Sequence, residues 1–449
     1  MAEKQWTEMT PQEKRRQRFK WWLEPEGVKF INTDAERSYK TRVRRMTAVY
    51  NVTEPDRVPV SLPVGATPIY LYGTNYYSCS YDYDLAVKAW EKFSEEFKDA
   101  DSLSSPRTVL PAKVYDMLDY RMYKWPGHGL SMDATGFQFV EGEYMKADEY
   151  DALIKNPSDF WMRVYMPRIF GAFEPWKMLF PFTDVIEMPS MYFRPYTLPT
   201  VQNSLQTLIN VGNELAKYMK VIGEFGRRAL EAGYPAGGRG GGAFCKAPFD
   251  VIGDTLRGTQ GIIMDMYRQP DKLLEAIDVI TTLMIDSAIS SVNASKSLIA
   301  MFPLHKGADG WMSDKQFEKF YWPSLKKVID ALIEEGILVI LFAEGSYNTR
   351  LETVNEFPKG AVSWLFDKTD MAKAKRVLGD KCSIAGNVPS SLMTTGTPQQ
   401  VKAYCRNLIE VCGKGGGYIL SGGAQADTSK PENLRAMLEA AREYGVYKK

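Results

Sequence analysis

From Gly242 onward the chain alternates short apolar runs with longer amphipathic segments. The runs are SLIAMFPL (297–304), ILVILF (337–342), AVSWLF (361–366), CSIAG (382–386) and GYILS (417–421). Each is apolar at consecutive positions, the pattern of parallel strands covered on both faces. The intervening segments carry helix signals. Ser313 stands three residues before Gln316, Thr397 three before Gln400 with Pro398 between them, and Ser429 three before Glu432. Each pair is a capping box, in which the Ser/Thr and Glu/Gln side chains satisfy unpaired first-turn N–H groups. Gly336 and Gly445 stand where helices end. Upstream, RVPVSLP (57–63) predicts a first strand. Ala86, Ala89, Trp90, Phe93 and Phe97 recur at helical spacing and predict a helix over 85–97. ADSLSSPR (100–107) predicts a second strand with its loop.

Repeated strand–helix units leave two architectures, a doubly wound sheet or a barrel. No Gly-x-Gly-x-x-Gly follows the first strand, and GGRGGG (237–242) precedes a strand rather than a helix. That cluster reads as a weak phosphate cradle or as a flexible loop. The expected fold is therefore α/β, a (β/α)8 TIM barrel over residues 46–449. It carries an N-terminal helical extension (1–45) and an aromatic-rich insertion at about 160–199.

The extension has 12 Lys/Arg against 7 Asp/Glu, with Trp6, Trp21 and Trp22 embedded. It reads as a docking arm or as a solvated helix whose Trp residues pack on the barrel. The insertion, Phe160 to Pro199, holds eleven aromatics and five Met in forty residues. It reads as a lid over something apolar, or as a subunit interface or satellite core.

Composition narrows the function classes. Lys+Arg is 56 against Asp+Glu 55, a balance that asks for neither nucleic acid nor an anionic membrane. No apolar stretch reaches the roughly 18 residues of a membrane span, and the charged N-terminus lacks the apolar core of a secretory signal. Cys79, Cys245, Cys382, Cys405 and Cys412 are odd in number and scattered, which is not a disulfide framework. Cys405 and Cys412 share an apolar helix face. A cytoplasmic location is expected. The chain has two histidines, His128 and His305, so no site can need three imidazoles.

In a barrel the chemistry lies at the carboxyl ends of the strands. That rule selects His305, Lys306 and Asp309 after the first run; Glu344, Tyr347, Asn348 and Arg350 after the second; Asp367, Lys368 and Asp370 after the third; Asn387 and Ser390 after the fourth; and Gly422, Gly423, Gln425 and Asp427 after the fifth. His305 opens the two-glycine loop HKGADGW. It reads as a core histidine, a general acid/base or substrate ligand, or a metal ligand.

The C-terminal third, NVPSSLMTTGTPQQVKAYCRNLIEVCGKGGGYILSGG followed by DTSKPENLRAMLEAAREYG, resembles the closing segment of the uroporphyrinogen decarboxylase superfamily. KAPFDVIGDTLRG (246–258), MYRQPDKLLEAI (266–277) and PDRVPVSLP (55–63) extend the resemblance over about residues 45 to 447. It implies one of two chemistries, decarboxylation of uroporphyrinogen or methyl transfer to or from a corrinoid protein. The decarboxylases carry Arg-Gln-Ala-Gly-Arg near the N-terminus; here the region reads PVGATPIYLYG, with no cation for a polycarboxylate. The thiol-alkylating methyltransferases hold zinc with His-x-Cys after strand five and Cys after strand eight. Here those positions read Phe342-Ala343-Glu344 and Ala424. Zinc is thus doubtful, and any metal would fall to His305 and Glu344.

The resemblance then implies methyl transfer between an apolar, aromatic substrate and the cobalt of a separate corrinoid-binding protein. A phenolate, whose conjugate acid has a pKa of about 10, leaves readily, so a proton donor can replace a Lewis acid. His305, Glu344 and Asp367 are the expected catalytic residues. Tyr347, Asn348, Arg350, Asn387, Gly422 and Gly423 are the expected substrate contacts. A metal-independent decarboxylase or lyase and a non-catalytic small-molecule binder are the alternatives. A homodimer is a further expectation.

Overall fold

The computed structural model describes residues 4–235 and 242–448. Seven parallel strands form one curled sheet: β1 (Val60–Ser61), β2 (Ala243–Phe244), β3 (Ile299–Leu304), β4 (Leu338–Ala343), β5 (Val362–Phe366), β6 (Ser383–Val388) and β7 (Tyr418–Gly422). Their order is β1-β7-β6-β5-β4-β3-β2. Register runs Val60↔Leu420, Tyr418↔Ile384, Ser363↔Ser383, Val339↔Val362, Ile299↔Leu338 and Ala243↔Ala300. The predicted runs match β3 to β7 within two residues at each end.

The closed eight-stranded barrel is seen here as this seven-stranded sheet. The expected second strand contributes one isolated parallel bridge, Ser61↔Ser102. Pro106 has no N–H to extend the pairing, and no ladder joins this stretch to β2 among the described residues. All but the last residue of GGRGGG lies outside the described residues.

The longer helices are α1 (Pro11–Leu23), α2 (Thr33–Tyr50), α3 (Tyr83–Glu96), α4 (Pro199–Glu231), α5 (Gly258–Arg268), α6 (Pro270–Ala294), α7 (Trp322–Glu334), α8 (Met371–Leu378), α9 (Pro398–Cys412) and α10 (Pro431–Tyr444), and α6 to α10 pack directly against the strands. Capping boxes form at Ser313/Gln316 and Thr397/Gln400. The one expected at Ser429 does not. Lys430 holds the cap position of α10 without a side-chain bond, because the Ser429 N–H is drawn off to Thr67 Oγ1 at 3.2 Å. Gly336 takes φ +69°, and a Cβ there would lie 2.4 Å from the Arg15 nitrogen of α1. Gly445 ends α10 at an ordinary φ of −95°.

The N-terminal helices close the amino end of the sheet. Phe19, Trp22, Met46, Val49 and Tyr50 pack with Leu298, Ile299, Leu338, Leu365, Ala385 and Ile419. Arg18 is 1% exposed and donates to Glu335 O (2.9 Å), Ser297 O (2.8 Å) and Asn293 Oδ1 (2.6 Å). Lys14 pairs with Glu335 at 2.6 Å. Much of the basic charge is therefore spent inside the chain, and α2 runs straight across residue 45.

The aromatic-rich stretch is a series of short helical turns. Phe173, Trp176 and Leu179 join Val114, Leu118, Val201 and Val211 in a satellite core. Beyond it, residues 180–198 leave many apolar side chains exposed. No helix of the described residues is long and apolar enough to cross a membrane.

Candidate active site at the carboxyl ends of the strands

Side chains alternate across a strand, so Ile299, Met301 and His305 project from one face of β3 and its extension. Ile299 and Met301 line a cavity of about 410 Å³ with Ser61, Ser102, Arg107 and Phe244. His305 stands beyond them at the carboxyl end.

Two carboxylates four residues apart hold His305. Asp250 closes the turn Pro248–Asp250, and Asp254 follows in a π-helical turn, Val251–Leu256, that leads toward α5. Wide turns of this kind recur at functional sites. Asp250 is fully buried and accepts the His305 N–H (3.0 Å), the Lys306 N–H (3.1 Å) and the Tyr321 hydroxyl (2.8 Å). Burial, reinforced by the nearby Asp254 charge, pushes its carboxyl up to about 6.

Asp254 holds the ring. Its Oδ2 lies 2.5 Å from His305 Nδ1 and 2.9 Å from Lys246 Nζ, and its Oδ1 lies 2.8 Å from Lys306 Nζ. Burial opposes its ionisation. The bond from His305 and the charges of Lys246 and Lys306 outweigh burial and hold the carboxyl well below its usual range. Lys306 also donates to Thr259 Oγ1 at 2.9 Å. It passes so close to the turn that a Cβ on Gly253 would sit 2.7 Å from Lys306 Cε.

The other ring nitrogen, His305 Nε2, lies 3.6 Å from Glu344 Oε1. Burial alone would lower the imidazole pKa, but the bond to Asp254 and the charges of Asp254 and Glu344 raise it instead. The Glu344 carboxyl is also raised, by burial first and then by the charges of Asp367 and Asp254, with His305 opposing. The strand ends thus gather an imidazole biased toward its charged form and pinned on one side and a carboxyl that keeps its proton to higher pH, both half-open to solvent.

The remaining expected residues fall into two groups. Asp367 accepts the Gly345 N–H at 3.2 Å and belongs to the site through its charge on Glu344. Gly423 lies against Asp367 and Gly422 against Pro63. Tyr347 and Arg350 are each 1% exposed and brace the loops. The Tyr347 N–H goes to Thr369 Oγ1 (3.0 Å), and Arg350 donates to Met312 O (2.5 Å) and to Asp314. Asn348 ties three loops together, with its N–H on Asp309 (2.7 Å), its Nδ2 on Ser346 (2.9 Å) and its Oδ1 accepting from Asp370 (2.9 Å). Asn387 Nδ2 donates to the carbonyls of Asp367 (3.0 Å) and Thr369 (2.9 Å).

Asp250, Asp254, Lys246, Thr259 and Tyr321 were not among the expected site residues. The strand-end rule passes over the first four of them because they lie in and around a helical turn that follows a two-residue strand. The available signal was the spacing of the two Asp in KAPFDVIGDTLRG, which puts them on one helical face.

The donor set does not suit a thiol–zinc centre. All five cysteines are buried, Glu344 and Ala424 stand at the thiol positions, and Asp254 and His305 Nδ1 already satisfy each other. Among the described residues no group of three His, Cys, Asp or Glu side chains is gathered as a metal requires.

Residues 203–444, more than half of the chain, match the family model for uroporphyrinogen decarboxylase (URO-D). The uroporphyrinogen decarboxylase of Pseudoalteromonas translucida is 23% identical over 296 residues, covering 59% of this chain and 78% of that protein. The one from Geobacter sulfurreducens is 28% identical over 213 residues, covering 47% and 61%. A methyltransferase from Methanosarcina mazei superposes with a TM-score of 0.56 at 14% identity, covering 90% of this chain and 98% of that one; this likeness is one of fold. The chain belongs to the uroporphyrinogen decarboxylase (URO-D) family.

Proposed function

We propose that this protein is a methyltransferase that moves a methyl group between an apolar, aromatic substrate and the cobalt of a corrinoid carried by a separate protein. One observation carries the reading: Asp254 occupies His305 Nδ1 and leaves Nε2 facing Glu344 across 3.6 Å at the strand ends. This is the arrangement of a proton donor held ready at the carboxyl ends of the strands. The corrinoid protein is the second substrate, and its reduced cobalt supplies the nucleophile that accepts the methyl group. On this chain, Glu344 or the His305 imidazolium gives a proton to the leaving oxygen as the O–CH3 bond breaks and its electron pair stays on oxygen. In the reverse direction the same groups take the proton back. The apolar walls at Ile299, Met301 and Phe244 hold a flat ring and exclude water. We also assign the Ser102 stretch as the eighth strand position of a closed barrel.

The names of the sequence relatives favour a second reading, decarboxylation. It has little support at the site: Lys246 and Lys306 are engaged by Asp254, which leaves Arg107 as the single cation among the described residues of the cavity wall for a substrate with many carboxylates. The test mixes the protein with a reduced corrinoid protein and a panel of methoxyarenes while the cobalt absorbance is followed. Methyl-cobalt should accumulate with at least one substrate. None with any substrate, together with release of CO2 from uroporphyrinogen, overturns the proposal in favour of the decarboxylase.

A further inference from the structure

The cavity lined by β1, β2 and the stretch from Ser102 to Thr108 carries one sign of charge. Its wall holds the Arg107 guanidinium and, among the described residues, no carboxylate. Arg107 sits in the 3-10 turn Pro106–Thr108, and Ser105 Oγ accepts its N–H at 3.4 Å. Pro106 beside it is buried, which anchors the backbone of the turn. The Arg107 side chain itself is exposed and makes no described ion pair or hydrogen bond. Its charge is felt by the Tyr218 phenol of α4, where it opposes the rise that burial causes. Two hydroxyls on the same wall have hydrogens to give. Ser104 Oγ accepts the Trp90 Nε1–H at 2.9 Å, and Ser61 Oγ accepts the Ser102 hydroxyl at 3.1 Å. A hydroxyl that accepts one bond keeps its own hydrogen, so Ser61 and Ser104 are free to donate. Phe244, Ile299 and Met301 make the apolar part of the wall.

We propose that Arg107, Ser61 and Ser104 form an anion subsite, and that the aromatic substrate carries one carboxylate on its ring, separate from the methoxyl. The methoxyl rests on the methyl-transfer reading; the carboxylate rests on the cavity. A guanidinium offers a planar fork of donors that matches a carboxylate with two parallel bonds. The two hydroxyls add neutral donors and no competing charge. One cation suits one negative charge, and the apolar wall suits the ring that bears it. A neutral ligand of the same shape covers Arg107 without pairing it. A charge desolvated in that way costs affinity, so the subsite selects against neutral analogues as well as for the anion. The cavity volume of about 410 Å³ lies in the ordinary range for a small-molecule site.

The test reads binding to the full chain and needs no corrinoid. The probes are para-methoxybenzoate and para-methoxybenzamide, which share ring and methoxyl and differ in charge. In calorimetric titration the carboxylate should bind about 10- to 100-fold tighter than the carboxamide, the range of charge-assisted hydrogen bonds. Arg107→Gln should bring the carboxylate down to the affinity of the carboxamide. Arg107→Lys restores the charge without the fork and should recover part of the preference. Because Arg107 is exposed, both variants should keep the parent circular dichroism spectrum. Equal affinity of the two probes for the parent, no binding of either at millimolar concentration, or a preference that survives Arg107→Gln overturns the proposal. The two readings fail separately. A preference erased by Arg107→Gln in a chain that never methylates cobalt overturns methyl transfer and keeps the subsite. Methylation of cobalt from neutral and anionic methoxyarenes alike keeps methyl transfer and overturns the subsite.

Discussion

Asp254 Oδ2 lies 2.5 Å from His305 Nδ1 and is shared with Lys246. A carboxylate held ionised by a lysine on each oxygen stabilises the imidazolium and fixes which ring nitrogen faces Glu344. Asp254→Asn removes the charge and keeps the shape. The His305 pKa should then fall below its raised value toward or under the ordinary 6.5. With only two histidines in the chain, proton NMR can follow His305 with His128 as internal reference. An unchanged His305 titration in Asp254→Asn would show that the carboxylate does not govern the ring.

Asp250 and Asp254 should give stability opposite slopes with pH. The Asp250 carboxyl is raised to about 6, so the folded chain binds its proton more tightly than the unfolded chain. The stabilisation is complete below about 4 and is lost as pH rises through about 6. The Asp254 carboxyl is depressed, so its contribution is present above the unfolded value and is lost only in strong acid. Asp250→Asn is permanently neutral. The stability of the parent relative to this variant should therefore drop by on the order of 2 kcal/mol between pH 4 and pH 7. Denaturant unfolding at the two pH values measures it, and a constant difference would show that Asp250 does not titrate in this range.

The parallel half of the fold was legible because its strands are apolar on both faces and two of its helical stretches begin at explicit capping boxes. The second strand was harder to read. ADSLSSPR supplies serines and a proline instead of a run of ladder-forming residues, and it gives one bridge. The grouping of His305, Glu344 and Asp367 at the strand ends was legible because each is a polar residue that follows a long apolar strand. The site was not legible at Asp250 and Asp254, whose role depends on a π-helical turn that brings two acidic residues beneath a strand 50 positions later. The polarity of Tyr347 and Arg350 suggested substrate contacts. Their nearly complete burial instead commits them to Thr369, Met312 and Asp314, a packing outcome that polarity alone does not encode.

The amino end of the sheet should matter for stability and not for chemistry. Arg18 satisfies the carbonyls of Glu335 and Ser297 from a buried position. Arg18→Met keeps much of the packing but strands both carbonyls and Asn293. A loss of about 2–3 kcal/mol follows from unpaired buried acceptors. The His305 titration should not move. A variant as stable as the parent would show that water replaces the guanidinium there.

Glu344 is the group whose charge should set the pH dependence of turnover. Its carboxyl is raised by burial and by Asp367 and Asp254, and as the donor it must be protonated. The rate in the demethylating direction should therefore be highest on the acid side and fall as pH rises through the raised value. Glu344→Gln cannot give a proton and should lower kcat by about 10²–10⁴-fold with little change in substrate binding. Asp367→Asn removes one charge that raises the Glu344 carboxyl, so its descending limb should move to lower pH while the fold stays intact. If Asp367→Asn leaves the limb in place but Glu344→Gln abolishes turnover, burial rather than the Asp367 charge sets the donor's acidity. If Glu344→Gln turns over at the parent rate, the proton comes from His305 directly and the descending limb should follow the imidazole titration seen by NMR.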